Sequence, residues 1–522
     1  MTLKPVSDVS PTEWEWDNLR HVYDDIPIKI FLVAIAELAE RFTYRSVSAP
    51  IQNYIQHPRY SEKHTGALGK GQTVATGISY FFVGWSYFAP ILGAIAADSY
   101  FGRYKTIALA TGFGSIGVLI LFTTSLPDSL DHGAGLPGLM IALVLIGMGT
   151  GGIKSNVSPL IAEQFSQPAR IKTLSSGEKV VVDPNVTVQT IYSRYYWVIN
   201  IGSLSVIPAS WLELKVDFWA AFMLPLALWG LAAVALLAGR KNYIAQTPKE
   251  SVITKTVKVF WISIKNGFNL DAARGSVRDD TFISELRRAL VACRAFPIYW
   301  ICNGQANNNL VSQASTMKTY GIPNDMLSCF NPIAIIAALP LVEYIVYPTL
   351  RRYGIPFRPI SRMTAGFVTI ACGIAYTAGL QEYIYRSSPC HRHPDTPECL
   401  DYDEPSNVSI LLQIPAYSLI GLSELFSILS AMEYAFTKAP KSMRSIVTSI
   451  FLLTSTIGSM LGITLAPVST NPKVLVEYAS LSGIMFMTAV LFQLVFRKYN
   501  KTEEAMNLIG DSSSMSDENE KV

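Results

Sequence analysis

The sequence predicts an all-α, polytopic membrane protein with twelve transmembrane helices arranged as two six-helix bundles. Three observations carry this reading. Half of the 522 residues are hydrophobic and only 16% are charged, against about 25% charged in soluble domains. Twelve apolar runs are each long enough, at about 1.5 Å rise per residue, to cross a bilayer core of about 30 Å. A polar segment, 240–289, with ten Lys or Arg against five acids, divides those runs six and six.

The interior of the first run, 28–50, carries four charges, Glu37, Glu40, Arg41 and Arg45. On a helix, spacings of three, four and seven place Glu37, Glu40, Arg41, Tyr44 and Ser48 on one stripe, with Arg45 at its edge. A charge at mid-bilayer costs at least about 2.5–3.5 kcal/mol, so this stripe is expected to face a polar cavity rather than lipid. The rival arrangement, in which the charges only neutralise one another between helices, would be a costly way to hold helices together.

The next runs lie near 74–97, 104–125, 138–160, 191–211 and 217–239, and the second set near 290–312, 329–350, 363–384, 409–436, 445–467 and 474–496. The expected organisation is a cytoplasmic segment 1–27, a bundle 28–239, a cytoplasmic linker 240–289, a bundle 290–497 and a disordered cytoplasmic tail 498–522. Positive charge in the linker and after the second, eighth and tenth runs places those loops inside, with both termini cytoplasmic. Residues 1–27 lack the features of a secretory signal, so the first run is expected to act as its own insertion signal.

The second run ends in Asp98, Arg103 and Lys105 around a tight turn, the pattern of a clamp that gates two helix ends. The fourth holds Gly147-Met148-Gly149-Thr150-Gly151-Gly152-Ile153-Lys154. Its letters match GxGxxG, but no strand precedes it, and Ile153 breaks the phosphate-loop pattern. The glycines are expected to admit a neighbouring helix, and Lys154 is expected to meet a carboxylate in a cavity. The seventh run carries Asn303, Gln305, Asn307, Asn308 and Asn309 around Gly304. These amides suit an amide-bearing ligand, or equally bonds to other helices. Glu424 sits in the middle of the tenth run, where desolvation makes it a candidate to bind and release a proton; Glu343 and Glu433 lie nearer the cytoplasm.

Of six cysteines, Cys390 and Cys399 occupy a polar segment expected outside, where a disulfide is favoured. A metal site with His391 and His393 is disfavoured because the spacing fits no zinc pattern. The net charge of +3 gives no reason to expect a nucleic-acid partner. No cofactor motif, metal spacing or nucleophile–base pair points to an enzyme.

Glu37-Leu38-Ala39-Glu40-Arg41-Phe42-Thr43-Tyr44 resembles the ExxERFxYY motif of the proton-coupled oligopeptide transporters, a branch of the major facilitator superfamily. Gly93 to Lys105, Gly152 to Phe165, Tyr195 to Leu204, and Ser423 to Phe426 with Lys438 to Ser445 are similar to further motifs of that family, and Ser48 to Tyr54 resembles its fungal members. The resemblance implies a plasma-membrane symporter for small peptides and protons, working by rocker-switch alternation. It implies that Glu37, Glu40, Arg41 and Glu424 couple protons, that Lys154 binds the substrate carboxylate and Glu424 its amino terminus, and that Tyr44 and Tyr87 contact the peptide. Arg45, Gln305 and Asn308 are added as substrate-facing residues. Arg45 stands where the motif has a second tyrosine, Glu163 where it has an aspartate, and Gly304 where bacterial and animal relatives often carry an acid. The extra positive charge of Arg45 would favour anionic ligands. Another small solute, such as nitrate, a modified peptide or a secondary metabolite, and a sensor that binds without transport are the competing expectations.

Overall fold

The computed structural model describes residues 12–24, 28–60, 65–157, 169–173, 177–183, 198–239, 293–353, 357–387, 406–438 and 444–497, with isolated positions at 160, 187, 259, 261–263, 265–266 and 290. Most of the central linker, the tail, Glu163, Cys390 and Cys399 lie outside the described residues.

Each of the twelve expected runs contains helix. Helices one to six are Ile28–Ser48, Gln72–Ala96, Arg103–Thr124, Gly135–Lys154, Val206–Lys215 and Phe218–Gly239. Helix seven consists of Phe296–Gly304 and Asn309–Ser315, and helix eight of Phe330–Leu341 followed by a wider turn and Tyr347–Arg352. Helices nine to twelve are Pro359–Ser387, Ile414–Lys438, Arg444–Leu465 and Val474–Phe496. Among the described residues, eight helical stretches are long and apolar enough to span a membrane. Helix one falls short because of its charges, and helix seven because it is broken.

Helix one packs on four and six, two on four, and three on four and six, while five packs on six. In the second half, nine packs on ten and twelve, eight on ten, and seven on eleven and twelve. The two sets meet where helix two lies along helix eleven, and where helix five meets the turn Met326–Cys329 that opens helix eight.

Glycines set the tight crossings. A Cβ on Gly93 of helix two would lie 2.8 Å from Gly151 O and 2.8 Å from Gly152 Cα of helix four, so the glycine run serves close approach, as expected. Gly93→Val is expected to cost about 1–3 kcal/mol by overpacking. Thermal unfolding of the purified protein in detergent checks this, with a lowered midpoint as the outcome. Helix two ends in the wider turn Ala97–Phe101 and at Gly102, whose φ of 77° favours glycine. That turn brings Asp98 within electrostatic reach of Arg103.

Among the described residues, a small sheet is an addition to the helical plan that hydropathy did not announce. Strands β1 (His21–Val22), β2 (Arg170–Thr173) and β3 (Lys179–Val182) run in the order β1-β3-β2, with β1 parallel and β2 antiparallel to β3. It ties the segment before helix one to the segment after helix four. Four crossings lie between them, and an even number returns the chain to the same face. The tie is reinforced by Arg170 Nη2 on Asp24 Oδ2 at 2.6 Å and His21 Nδ1 against Asp183 Oδ2 at 2.8 Å.

Candidate functional site

Helix one delivers the charged stripe to the interior. Glu37 and Glu40 are fully buried, and Arg41 Nε lies 3.2 Å from both Glu37 Oε1 and Glu40 Oε2. One guanidinium thus serves two carboxylates. Glu37 Oε2 and both Glu40 oxygens lack hydrogen-bond geometry with any described donor. Lys154, carried in by helix four through its glycine crossing, is within electrostatic reach of Glu37, Glu40 and Arg41. Its ammonium sits 3.8 Å from the centroid of the Tyr87 ring, a cation–π contact. Tyr44 stacks on Phe82 with centroids 5.4 Å apart and shares the electrostatic neighbourhood of Tyr87, Arg45, Arg41 and Glu40.

Helix seven forms the opposite wall. Trp300 and Asn303 of its first part, and Asn307 of the tight turn Gln305–Asn307 that breaks it, each reach a different part of the site. The Trp300 ring lies 5.3 Å from that of Tyr87, which in turn covers Lys154. Asn303 Nδ2 donates to Glu424 Oε1 at 2.8 Å, and Asn307 Oδ1 accepts from Arg45 Nη1 at 3.4 Å. Asn331 Nδ2, from helix eight, also donates to Glu424 Oε1 at 2.8 Å. Glu424 is therefore held by two neutral amides on the second bundle, while Lys154 stands with Tyr87 on the first. The arrangement offers a cation and an anion joined through one face of helix seven, with aromatic surface between them.

The remaining expected residues share none of these described contacts. Gln305 is fully buried, and its amide is occupied by Tyr80 at 3.1 Å and Glu477 at 3.2 Å, with Asn309 donating to its oxygen at 2.7 Å. Asn308 is buried beside Tyr80, and neither of its amide atoms reaches hydrogen-bond geometry with a described partner. Asp98 lies in the wider turn that ends helix two, and Arg103 is the first residue of helix three. Gly304 is explained by Tyr80: a Cβ there would lie 2.5 Å from Tyr80 Cε1, so the missing side chain admits a tyrosine from the other bundle.

Sequence reasoning passed over Asn331 and Glu477. Each is a polar residue in the first turns of an apolar run, and that position was the available signal. Nothing in one dimension joined Asn331 to Glu424.

A model of the POT family matches residues 104–482. Peptide transporter PTR_A of Candidozyma auris is 43% identical over 511 residues, covering 95% of this chain and 86% of that protein. Peptide transporter PTR2 of Saccharomyces cerevisiae is 42% identical over 509 residues, covering 95% of this chain and 83% of its own length. Among solved structures, the in meso crystal structure of the POT family transporter PepTSo matches with a TM-score of 0.72 and 21% identity over 91% of this chain and 99% of that one. At that identity the likeness is one of fold, the polytopic helical fold of major facilitator-type transporters. The match to the family model and the identity to these relatives along nearly the whole chain show that the chain belongs to the POT family.

Proposed function

We propose that this protein is a proton-coupled symporter that imports di- and tripeptides across the plasma membrane by alternating access, with both termini cytoplasmic. The observation that carries the reading is the pair of opposite charges on facing bundles, Lys154 with Tyr87 on one and Glu424 with Asn303 and Asn331 on the other. A short peptide is a zwitterion, and these poles match its carboxylate and its ammonium group. Relatives named as peptide transporters along nearly the whole chain support the same cargo. Glu37, Glu40 and Arg41 supply the proton step, because a single cation between two buried carboxylates leaves room for a proton.

The bundles 28–239 and 290–497 rock against one another. Described hydrogen bonds cross between them at the end where helix one finishes and helix seven finishes. Gln52 Nε2 donates to Ser312 Oγ at 3.0 Å, Ser312 Oγ to Gln56 Oε1 at 2.6 Å, and Asn53 and Asn324 exchange bonds of 2.7 and 2.9 Å. In the proposed orientation this end is extracellular, and the structure is outward-closed. Labelled dipeptide uptake into proteoliposomes tests the reading. Accumulation driven by an imposed inward proton gradient, and lost when the gradient is collapsed, is expected. Gradient-independent behaviour across a broad panel of di- and tripeptides would overturn it.

A further inference from the structure

At the closed end lies a pair of acids that the transport site does not use. Glu213, near the end of helix five, and Asp325, just before helix eight, are buried at 4% and 0% exposure. They belong to different halves of the molecule, yet their carboxyl groups lie within hydrogen-bond reach of one another. Glu213 Oε1 accepts from Asn53 Nδ2 at 2.9 Å and from Thr65 Oγ1 at 2.8 Å, while Asp325 Oδ2 accepts from Ser210 Oγ. The other two oxygens, Glu213 Oε2 and Asp325 Oδ1, have no donor among the described residues. Two buried carboxylates in contact cannot both ionise. A single proton held between them would satisfy both unpartnered oxygens at once.

We propose that Glu213 and Asp325 form a second proton-binding site, assembled only when the outer ends of the two bundles meet, so that a proton taken from the outside medium latches the outer gate shut. The inference rests on alternating access as described above and is independent of the cargo. The groups facing the pair are Asn53 and Thr65 from the chain after helix one, Ser210 from helix five, the backbone N–H groups of Asp325 and Met326, and the Tyr417 phenol of helix ten, which senses Asp325. Among the described residues none of these groups is a cation, so no described ion pair takes the place of the proton. The adjoining reciprocal pair Asn53–Asn324 fixes the register of the two bundles at this point.

The sign of the pH dependence follows. Burial pushes the Asp325 carboxyl up from its ordinary range to about 6 in the closed arrangement, whereas opening returns it to water. The proton is therefore held more tightly when the gate is closed. Closure is favoured as pH falls and loses that support as pH rises through the titration of the pair.

The test is a distance measurement on the full-length protein in lipid nanodiscs without peptide. Spin labels are placed at Tyr60→Cys and Tyr320→Cys, both exposed and on opposite halves, in a background freed of reactive cysteines. The short-distance population is expected to grow as pH falls from about 8 to about 5, through a single midpoint. In Glu213→Gln and in Asp325→Asn, whose amide N–H replaces the shared proton, that midpoint is expected to vanish and the short distance to dominate throughout. Thr65→Ala, which removes a donor from Glu213 in a loop and leaves both acids in place, is expected to move the midpoint upward. This variant keeps the test decisive if a buried substitution misfolds. Retention of the native midpoint in the acid variants, or an unmoved midpoint in Thr65→Ala, would overturn the latch. Because no peptide is present, an incorrect cargo assignment would leave this result unchanged and would appear only in the uptake assay.

Discussion

Glu40→Gln is expected to lower gradient-driven peptide uptake by about 100-fold or more, equivalent to about 2.7 kcal/mol of lost coupling, while peptide exchange at equal pH on both sides persists. The cluster around Glu40 holds two carboxylates, Arg41 and, within electrostatic reach, Lys154. Ionised, Glu40 competes for the ammonium that a peptide carboxylate needs. On the proposed mechanism, protonation of Glu40 would release Lys154 to the cargo, so that proton and peptide enter together. The glutamine variant is fixed in the neutral form, so cargo binds without a proton and the gradient has nothing to drive. Counterflow and gradient-driven uptake measured on the same proteoliposomes separate this from misfolding, which would remove both. Equal, native-like uptake in the two assays would remove Glu40 from proton coupling.

Lys154→Gln and Glu424→Gln are expected to fail on opposite ends of the peptide. Hydrogen bonds to charged groups contribute about 1.5–3 kcal/mol, so each variant should weaken a free dipeptide by about 10- to 100-fold. Lys154→Gln should leave the affinity for a C-terminally amidated peptide nearly unchanged relative to the parent. Glu424→Gln should do the same for an N-acetylated one, since Asn303 and Asn331 still surround position 424. Competition binding with the free and the two blocked peptides reads this pattern directly. If both variants lost free and blocked peptides alike, the two poles would not be assigned as argued.

The plan of the molecule was legible in one dimension wherever hydrophobic continuity or its interruption carried the signal. Helices two, three, four, six, nine and twelve begin and end close to their apolar runs. Charges too costly to leave in lipid announced the interior face of helix one, and the glycine run of helix four declared a close crossing. Hydropathy could not show the break in helix seven, because the amides from Asn303 to Asn309 suit a cavity and a helix contact equally well. The structure divides them: Asn303 and Asn307 turn toward the charged site, while Gln305 and Asn309 turn to Glu477.

The same limit applied to acids. Glu213 and Asp325 look like ordinary charges at the ends of runs, and no local pattern pairs positions so far apart. By itself, then, the sequence determined which segments enter the membrane and which charges must be sheltered there, since those follow from the local cost of transferring each residue into hydrocarbon. Only the tertiary structure decided which charges share a partner, which amides are already occupied and which oxygens are left without a donor. Those outcomes depend on distances of a few ångströms between residues far apart in the chain, and local transfer energies contain no such information.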